Sequence, residues 1–194
     1  MEPGLAVLIL AAGESKRLGT AKQLLKFHSY TLLEHVIQNA RAVSEKIFVV
    51  LGAHAESIAK KTDLSGCQLV ANANWQNGMG SSIAAGVQSI TDNTPDCKEI
   101  LVLLTDQPKV SRELLTCLVD THHHKSNLIT ACNYGSTYGV PAIFDLALFS
   151  DLKALKGDKG AKSIIKSHFS KTNFIYFPEG HIDIDTQDDL RHLK

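Results

Sequence analysis

Apolar runs that alternate with stretches of helical periodicity predict an α/β protein with one doubly wound, mostly parallel sheet in a single domain. Three observations carry this expectation. Residues 6–10, Ile47–Leu51 and 100–104 are apolar throughout, as strands covered on both faces must be. Between the runs lie segments with apolar residues at helical spacing, the crossovers that parallel strands need. At 194 residues, the chain is the size of one domain and has no internal repeat, low-complexity segment or linker.

The elements follow in order. Residues 6–10 open the sheet and break into a loop of small and cationic residues. Leu32, Leu33, Val36, Ile37, Ala40 and Val43 recur at helical spacing, with Thr31 placed to cap them. Ile47–Leu51 is the second strand, residues 54–62 a short helix and Cys67–Ala71 the third strand. Residues 81–90 read as a helix leading to the strand at 100–104, and residues 111–124 as the helix before a strand at 128–132. The last third is less regular. A turn-rich stretch at 135–139 precedes a β run at 140–144, and helical segments at 146–155 and 161–167 are split by Gly157-Asp158-Lys159-Gly160. A β run at 174–177 and a closing helix at 186–193 follow, the helix capped by Thr186 with Asp189 in its first turn.

Composition narrows the function. Hydrophobic content of 44% and charged content of 21% are ordinary globular values. Lys+Arg and Asp+Glu balance at 20 each, which argues against a nucleic-acid or anionic-membrane partner. No apolar stretch approaches the ~18 residues of a membrane span. The start, Met-Glu-Pro-Gly, lacks the basic flank of a signal peptide, so a cytoplasmic location is expected. Cys67, Cys97, Cys117 and Cys132 include no Cys-x-x-Cys pair and read as reduced packing thiols.

The chemistry concentrates in residues 8–22, LILAAGESKRLGTAK. Small residues let backbone N–H groups close around phosphate oxygens, and fixed cations balance the charge. A loop at the carboxyl end of the first strand is also where open α/β sheets bind nucleotides. It is not a Walker A loop, because five residues separate Gly13 from Gly19 and Thr20 follows. Nor is it a dinucleotide fingerprint, since Gly52-Ala53-His54 stands where an acidic residue would close the second strand. Asp106 follows the strand at 100–104 and so points into the same crevice. A carboxylate beside a triphosphate needs a cation between them, and Mg²⁺ takes hard oxygen ligands. Asp183 and Asp185 flank Ile184 and share one face if the segment is extended, free to bind metal or to cap the last helix. His122-His123-His124 point in different directions on a helix and read as favourable cations at its C-terminus.

The loop resembles the signature Leu-Ala-Ala-Gly-x-Ser-x-Arg-φ-Gly-x-x-Lys (φ apolar) of the molybdenum-cofactor cytidylyl- and guanylyltransferase-like nucleotidyltransferases. Segments at 74–82 (NWQNGMGSS), 104–108 (LTDQP), 138–141 (YGVP) with 157–161 (GDKGA), and 183–190 (DIDTQDDL) agree with it in family order. The resemblance implies a Rossmann-like nucleotidyltransferase fold and Mg²⁺-dependent transfer of CMP from CTP to an acceptor phosphate, with pyrophosphate released. It implies catalytic roles for Arg17, Lys22 and Asp106, nucleotide contacts from Ala11, Ala12, Gly13, Gly78 and Ser82, and metal ligation by Asp106 and Asp185. Ala11-Ala12-Gly13 leans toward CTP where Ala-Gly-Gly leans toward GTP. Molybdopterin is the first acceptor implied, with a molybdoenzyme or its maturation chaperone as a partner. The alternatives are another acceptor (a sugar, alditol or cobinamide phosphate), GTP as donor, or a catalytically silent nucleotide-binding chaperone. The chain departs from the family at His28-Ser29-Tyr30-Thr31, where Gly-x-Pro is usual, and at Lys162, where arginine is common.

Overall fold

The computed structural model describes residues 4–193. Among the described residues there are nine strands and six α-helices: β1 (Leu5–Ala11), β2 (Lys26–Phe27), β3 (Tyr30–Thr31), α1 (Leu32–Ala40), β4 (Ile47–Leu51), α2 (Ala55–Lys61), β5 (Cys67–Ala71), α3 (Met79–Asn93), β6 (Glu99–Leu104), α4 (Arg112–His124), β7 (Ile129–Asn133), β8 (Tyr138–Asp145), α5 (Phe149–Lys153), α6 (Ala161–Ser167) and β9 (Thr172–Tyr176). Seven strands form one sheet in the order β5-β4-β1-β6-β8-β7-β9. β4 and β6 both pair parallel with β1, β5 is parallel with β4, and β9 with β7. Only β8 is reversed, antiparallel to β6 and β7.

The apolar runs are continuous because β1 serves two cores. Leu8, Leu10 and Ala12 pack with α3, α5 and α6 on one face. Val7, Ile9 and Ala11 pack with α1, α2 and α4 on the other. α3 lies so close to the sheet that a Cβ on Gly86 would sit 2.3 Å from Leu8 Cδ1, so a larger residue there would have to displace buried core side chains. The chain leaves β1 toward β4 and later returns to β6 on its other side. The crevice beyond the carboxyl end of β1 is therefore the switch point at which such sheets bind ligands.

Several elements differ from the sequence-based expectation. Thr31 does cap α1, in a capping box: its Oγ1 accepts from Glu34 N–H while Glu34 accepts from Thr31 N–H. That helix stops at Ala40, short of Val43. The closing segment Asp188–Leu193 is a 3₁₀ helix. There the capping runs the other way, since Asp189 accepts from Thr186 N–H and Oγ1, both at 2.8 Å, and from Asp185 N–H at 3.1 Å. His122 is no solvated cation. It is buried, bonded to Thr130 Oγ1 at 3.0 Å, and burial holds it below the usual histidine range.

Candidate functional site

The loop after β1 is held from beneath by Gln23, a fully buried side chain. Its Nε2 donates to the carbonyls of Ala11 at 2.8 Å and Gly13 at 3.1 Å. Within the loop, Leu18 and Gly19 N–H donate to Ser15 O, and Lys22 N–H donates to Ser15 Oγ at 3.2 Å. These bonds bend the chain back on itself and bring Lys22, in the single turn Lys22–Leu24, over the carboxyl end of the sheet. Ala12 and Gly13 line the crevice. Ala11 does not: its side chain packs in the opposite core, so it can act only through the carbonyl that Gln23 holds.

Lys22 draws two carboxylates together. Its Nζ lies 2.5 Å from Asp106 Oδ2 and 2.7 Å from Asp185 Oδ1, and Arg17 Nη2 lies 2.6 Å from Asp185 Oδ2. Asp106 comes from the turn after β6. Asp185 comes from the tail, which is fastened to that turn by Ile184 N–H donating to Asp106 O at 2.9 Å. Ile184 is fully buried with Phe27 and Leu32, and Gln187 Nε2 donates to Leu18 O at 2.6 Å. The tail is thus fixed to the sheet and to the loop at once.

The charges perturb one another. Burial opposes the Lys22 ammonium, but Asp106 and then Asp185 outweigh it and raise the pKa above the ordinary lysine value. Burial likewise opposes the Asp185 carboxylate, and Lys22 and Arg17 overcome it and lower the pKa. Asp183 has no such cation bonded to it. Partial burial, then the negative charges of Asp106 and Asp185, push it up to about 6.

These residues fit a hard divalent cation. Asp106 Oδ1 is buried with no partner among the described residues, an oxygen ligand left over after Lys22 has taken Oδ2. Among the described residues, no three His, Cys, Asp or Glu side chains converge on one ion position. Protein ligation would therefore rest on one or two carboxylates, as is usual where Mg²⁺ is shared with substrate phosphates.

A cavity of about 550 Å³ opens beside this cluster, bounded by Gly13, Lys22 and Asp106 on one side and by Trp75, Gly78, Ser82 and Asp158 on the other. Gly78 leads into α3 at φ +90°, and a Cβ there would lie 2.5 Å from the Gly157 carbonyl group. Only glycine lets the loop between α5 and α6 rest on the start of α3, where Gly80 N–H donates to Gly157 O at 2.9 Å. Asn72 Nδ2 bonds both Ser81 Oγ and Ser82 Oγ at 3.0 Å. Ser81 Oγ turns back toward Gly78 O rather than capping α3. Arg17 stands at the rim, 70% exposed, and does not line the cavity. A smaller cavity of about 200 Å³ adjoins the first along Leu10, Met79 and Leu104.

Residues 7–172 match a family model described as a MobA-like NTP transferase domain. The chain belongs to the MobA-like NTP transferase family. Nicotine blue oxidoreductase of Paenarthrobacter nicotinovorans is 31% identical to this MobA-like chain over 175 residues, 84% of this chain and 82% of its own. The crystal structure of a Mycobacterium tuberculosis Rv0371c homolog from Mycobacterium sp. strain JC1 has a TM-score of 0.84 at 29% identity, covering 100% of this chain and 96% of that one. Rv0371c of M. tuberculosis H37Rv in complex with manganese has a TM-score of 0.81 at 26% identity, covering 97% of each chain. This MobA-like domain is accordingly a nucleotidyltransferase by family, and no helix among its described residues is long and apolar enough to cross a membrane.

Sequence reasoning passed over Gln23, Asn72 and Gln107 and set Asp183 behind Asp185. Gln23 and Gln107 each sit next to a residue that was singled out, and that adjacency was their one signal. Asp183 and Asp185 lie beyond the residues matched by the family model.

Proposed function

We propose that the protein transfers CMP from CTP to the phosphate of an acceptor, with molybdopterin as the acceptor and pyrophosphate as the leaving group. The observation that carries this reading is the Lys22–Asp106–Asp185 cluster at the edge of the larger cavity, with the Gly13 loop directly beside it. An acceptor phosphate oxygen forms a bond to the α-phosphorus as the bond to the bridging α–β oxygen breaks. A phosphate monoester is already anionic near neutral pH, so the step needs no protein nucleophile or general base. What it needs is alignment and charge stabilisation.

The chain's own groups supply both. An ammonium has three N–H donors. Lys22 uses two on Asp106 and Asp185, and the third is available to a phosphate oxygen in the cavity it lines. Arg17, exposed at the rim, folds over the departing pyrophosphate. Backbone N–H groups of the Gly13 loop meet the remaining phosphate oxygens, and the Gly78 backbone with Ser82 holds the base and ribose. Ala12, whose methyl narrows the cavity wall, disfavours a purine. Asp106 and Asp185 would hold Mg²⁺, which when bound offsets phosphate charge and polarises the phosphoryl oxygens. A cytoplasmic site of action, and handover of the product to a molybdoenzyme or its maturation chaperone, go with this reading.

The test is acceptor-dependent pyrophosphate release with CTP, GTP, ATP and UTP, each with molybdopterin, a sugar phosphate, an alditol phosphate and a cobinamide phosphate. CTP with molybdopterin should give the fastest release and a cytosine dinucleotide product. Equal kcat/KM for CTP and GTP removes the base assignment, and release with another acceptor alone removes molybdopterin. Triphosphate binding without turnover leaves the silent chaperone.

A further inference from the structure

We propose that His54 is a positioning residue for the triphosphate, holding the Glu14–Ser15 peptide with its N–H turned into the larger cavity. This rests on the triphosphate-binding part of the reading above and assigns what keeps the loop in shape for it.

His54 belongs to the turn after β4 and stands outside the loop. It borders a separate cavity with Gly52 and Lys60, and it is not among the residues around the larger one. Its Nε2 lies 3.2 Å from Glu14 O, and because a carbonyl has no proton to give, Nε2–H is the donor. Beside it, Ala53 N–H donates to Ala12 O at 3.0 Å. Two carbonyls of the loop are thus drawn outward to the same turn. In a trans peptide the N–H points away from the carbonyl it is joined to. Gly13 and Ser15, which line the larger cavity, therefore present their N–H groups inward. Neither group has an acceptor among the described residues.

The backbone angles show that this arrangement is held in place. Ser15 has φ +58° and His54 has φ +61°, both in the left-handed region that side chains disfavour. Such residues persist where their surroundings over-determine them. Turning the Glu14–Ser15 peptide over would return Ser15 to an ordinary φ. It would also aim the Glu14 carbonyl at the phosphates and set a partial negative charge where a donor had been. Among the described residues, His54 is the one donor to Glu14 O and so the one that opposes this turn. Its ring is exposed and fills no core, which leaves the hydrogen bond as its contribution.

The test is calorimetric titration of the full chain with tripolyphosphate and with cytidine, at one Mg²⁺ concentration. His54→Phe keeps a ring and removes the N–H, and His54→Gln restores an N–H of similar reach. Tripolyphosphate should bind His54→Phe ~10-fold more weakly than the parent, as when a hydrogen bond to a charged group is lost. It should bind His54→Gln within ~3-fold of the parent, because the donor is kept. Cytidine, which has no phosphate, should bind all three proteins alike. Parent-like binding of tripolyphosphate by His54→Phe, an equal loss in His54→Gln, a matching loss for cytidine, or no tripolyphosphate binding by the parent would overturn the proposal. Tripolyphosphate binding that follows residue 54, in a chain that transfers no CMP, would remove the transfer reading and leave this one standing. CMP transfer by His54→Phe with the kcat of the parent and its KM for CTP would do the reverse.

Discussion

Replacing Lys22 with methionine keeps the bulk of the side chain and removes the one ammonium shared by Asp106 and Asp185. A unit charge pair at about 4 Å is worth about 4 kcal/mol at the effective dielectric near a protein surface. Much of that is offset by desolvation, and the 36% exposed Asp185 side chain is further screened. Lys22 and Asp106, at 13% and 16%, are more sheltered, so removing the lysine strands a carboxylate that water reaches poorly. The net loss should be about 2 kcal/mol near pH 7.5, or roughly 4–8 °C in Tm for a chain of this size.

The pH dependence follows from the two shifts. The raised Lys22 pKa means its stabilisation is complete below 10.5 and is lost as pH rises through the folded-state value. The lowered Asp185 pKa means its stabilisation is present above 3.8 and is lost as pH falls through the folded-state value. The gap between parent and variant should therefore be widest between about pH 4 and pH 10 and close only below the Asp185 folded-state value, in stronger acid. Thermal melts at about pH 2.5 and at pH 7.5, with pyrophosphate release at pH 7.5, test this. Turnover should fall on the order of 10²-fold or more, as when a fixed transition-state donor is lost. A gap equally wide at about pH 2.5, or turnover within tenfold of the parent, would refute the reasoning.

The other predictions are separable from this one. Arg17→Ala should leave Tm within about 1 °C, because an exposed ion pair contributes little, yet cut turnover by on the order of 10²-fold. The measurement is kcat beside a melt of the same sample. Asp183→Asn should raise Tm at pH 7.5 and leave it unchanged below pH 3.8, since a carboxyl pushed up to about 6 opposes folding once it ionises. Ala12→Gly should bring the kcat/KM ratio of CTP to GTP toward one, by up to about tenfold for a single methyl. Asp106→Asn should raise the Mg²⁺ concentration for half-maximal turnover without changing the fold, read by metal titration and circular dichroism, and EDTA should stop turnover in the parent.

The parallel half of the sheet was legible because β1, β4 and β6 are buried on both faces, and only an unbroken apolar run can satisfy two cores. The hairpin of β2 and β3 was not, since two-residue strands carry no periodicity. The reversal of β8 left no local mark either, because its direction depends on which neighbours it meets. At the site, Gly13, Lys22, Asp106 and Gly78 stood out because chain direction or charge demands those residue types. Arg17 was legible as a cation, but its place at the rim was not. Gln23 and Gln107 were marked only by their neighbours, because a buried amide becomes meaningful only when its partners are known. Asp185 was set ahead of Asp183 by the family resemblance, since alternation alone cannot say which carboxylate meets the lysine.

The tail gives the molecule an order of assembly. Arg17 and Asp185 are 168 residues apart in sequence, and Lys22 and Asp185 are 163 apart. Neither large core draws on any residue beyond Phe177, whereas Ile184 belongs to a small cluster of its own. Closing so long a loop comes late, after the local contacts that reward it have formed. A nascent or nicked chain ending before residue 183 would hold both cores and still lack one of the two carboxylates paired with Lys22. Being folded and being charged for chemistry are thus separate conditions in this protein: the two cores set the first, and the tail completes the second.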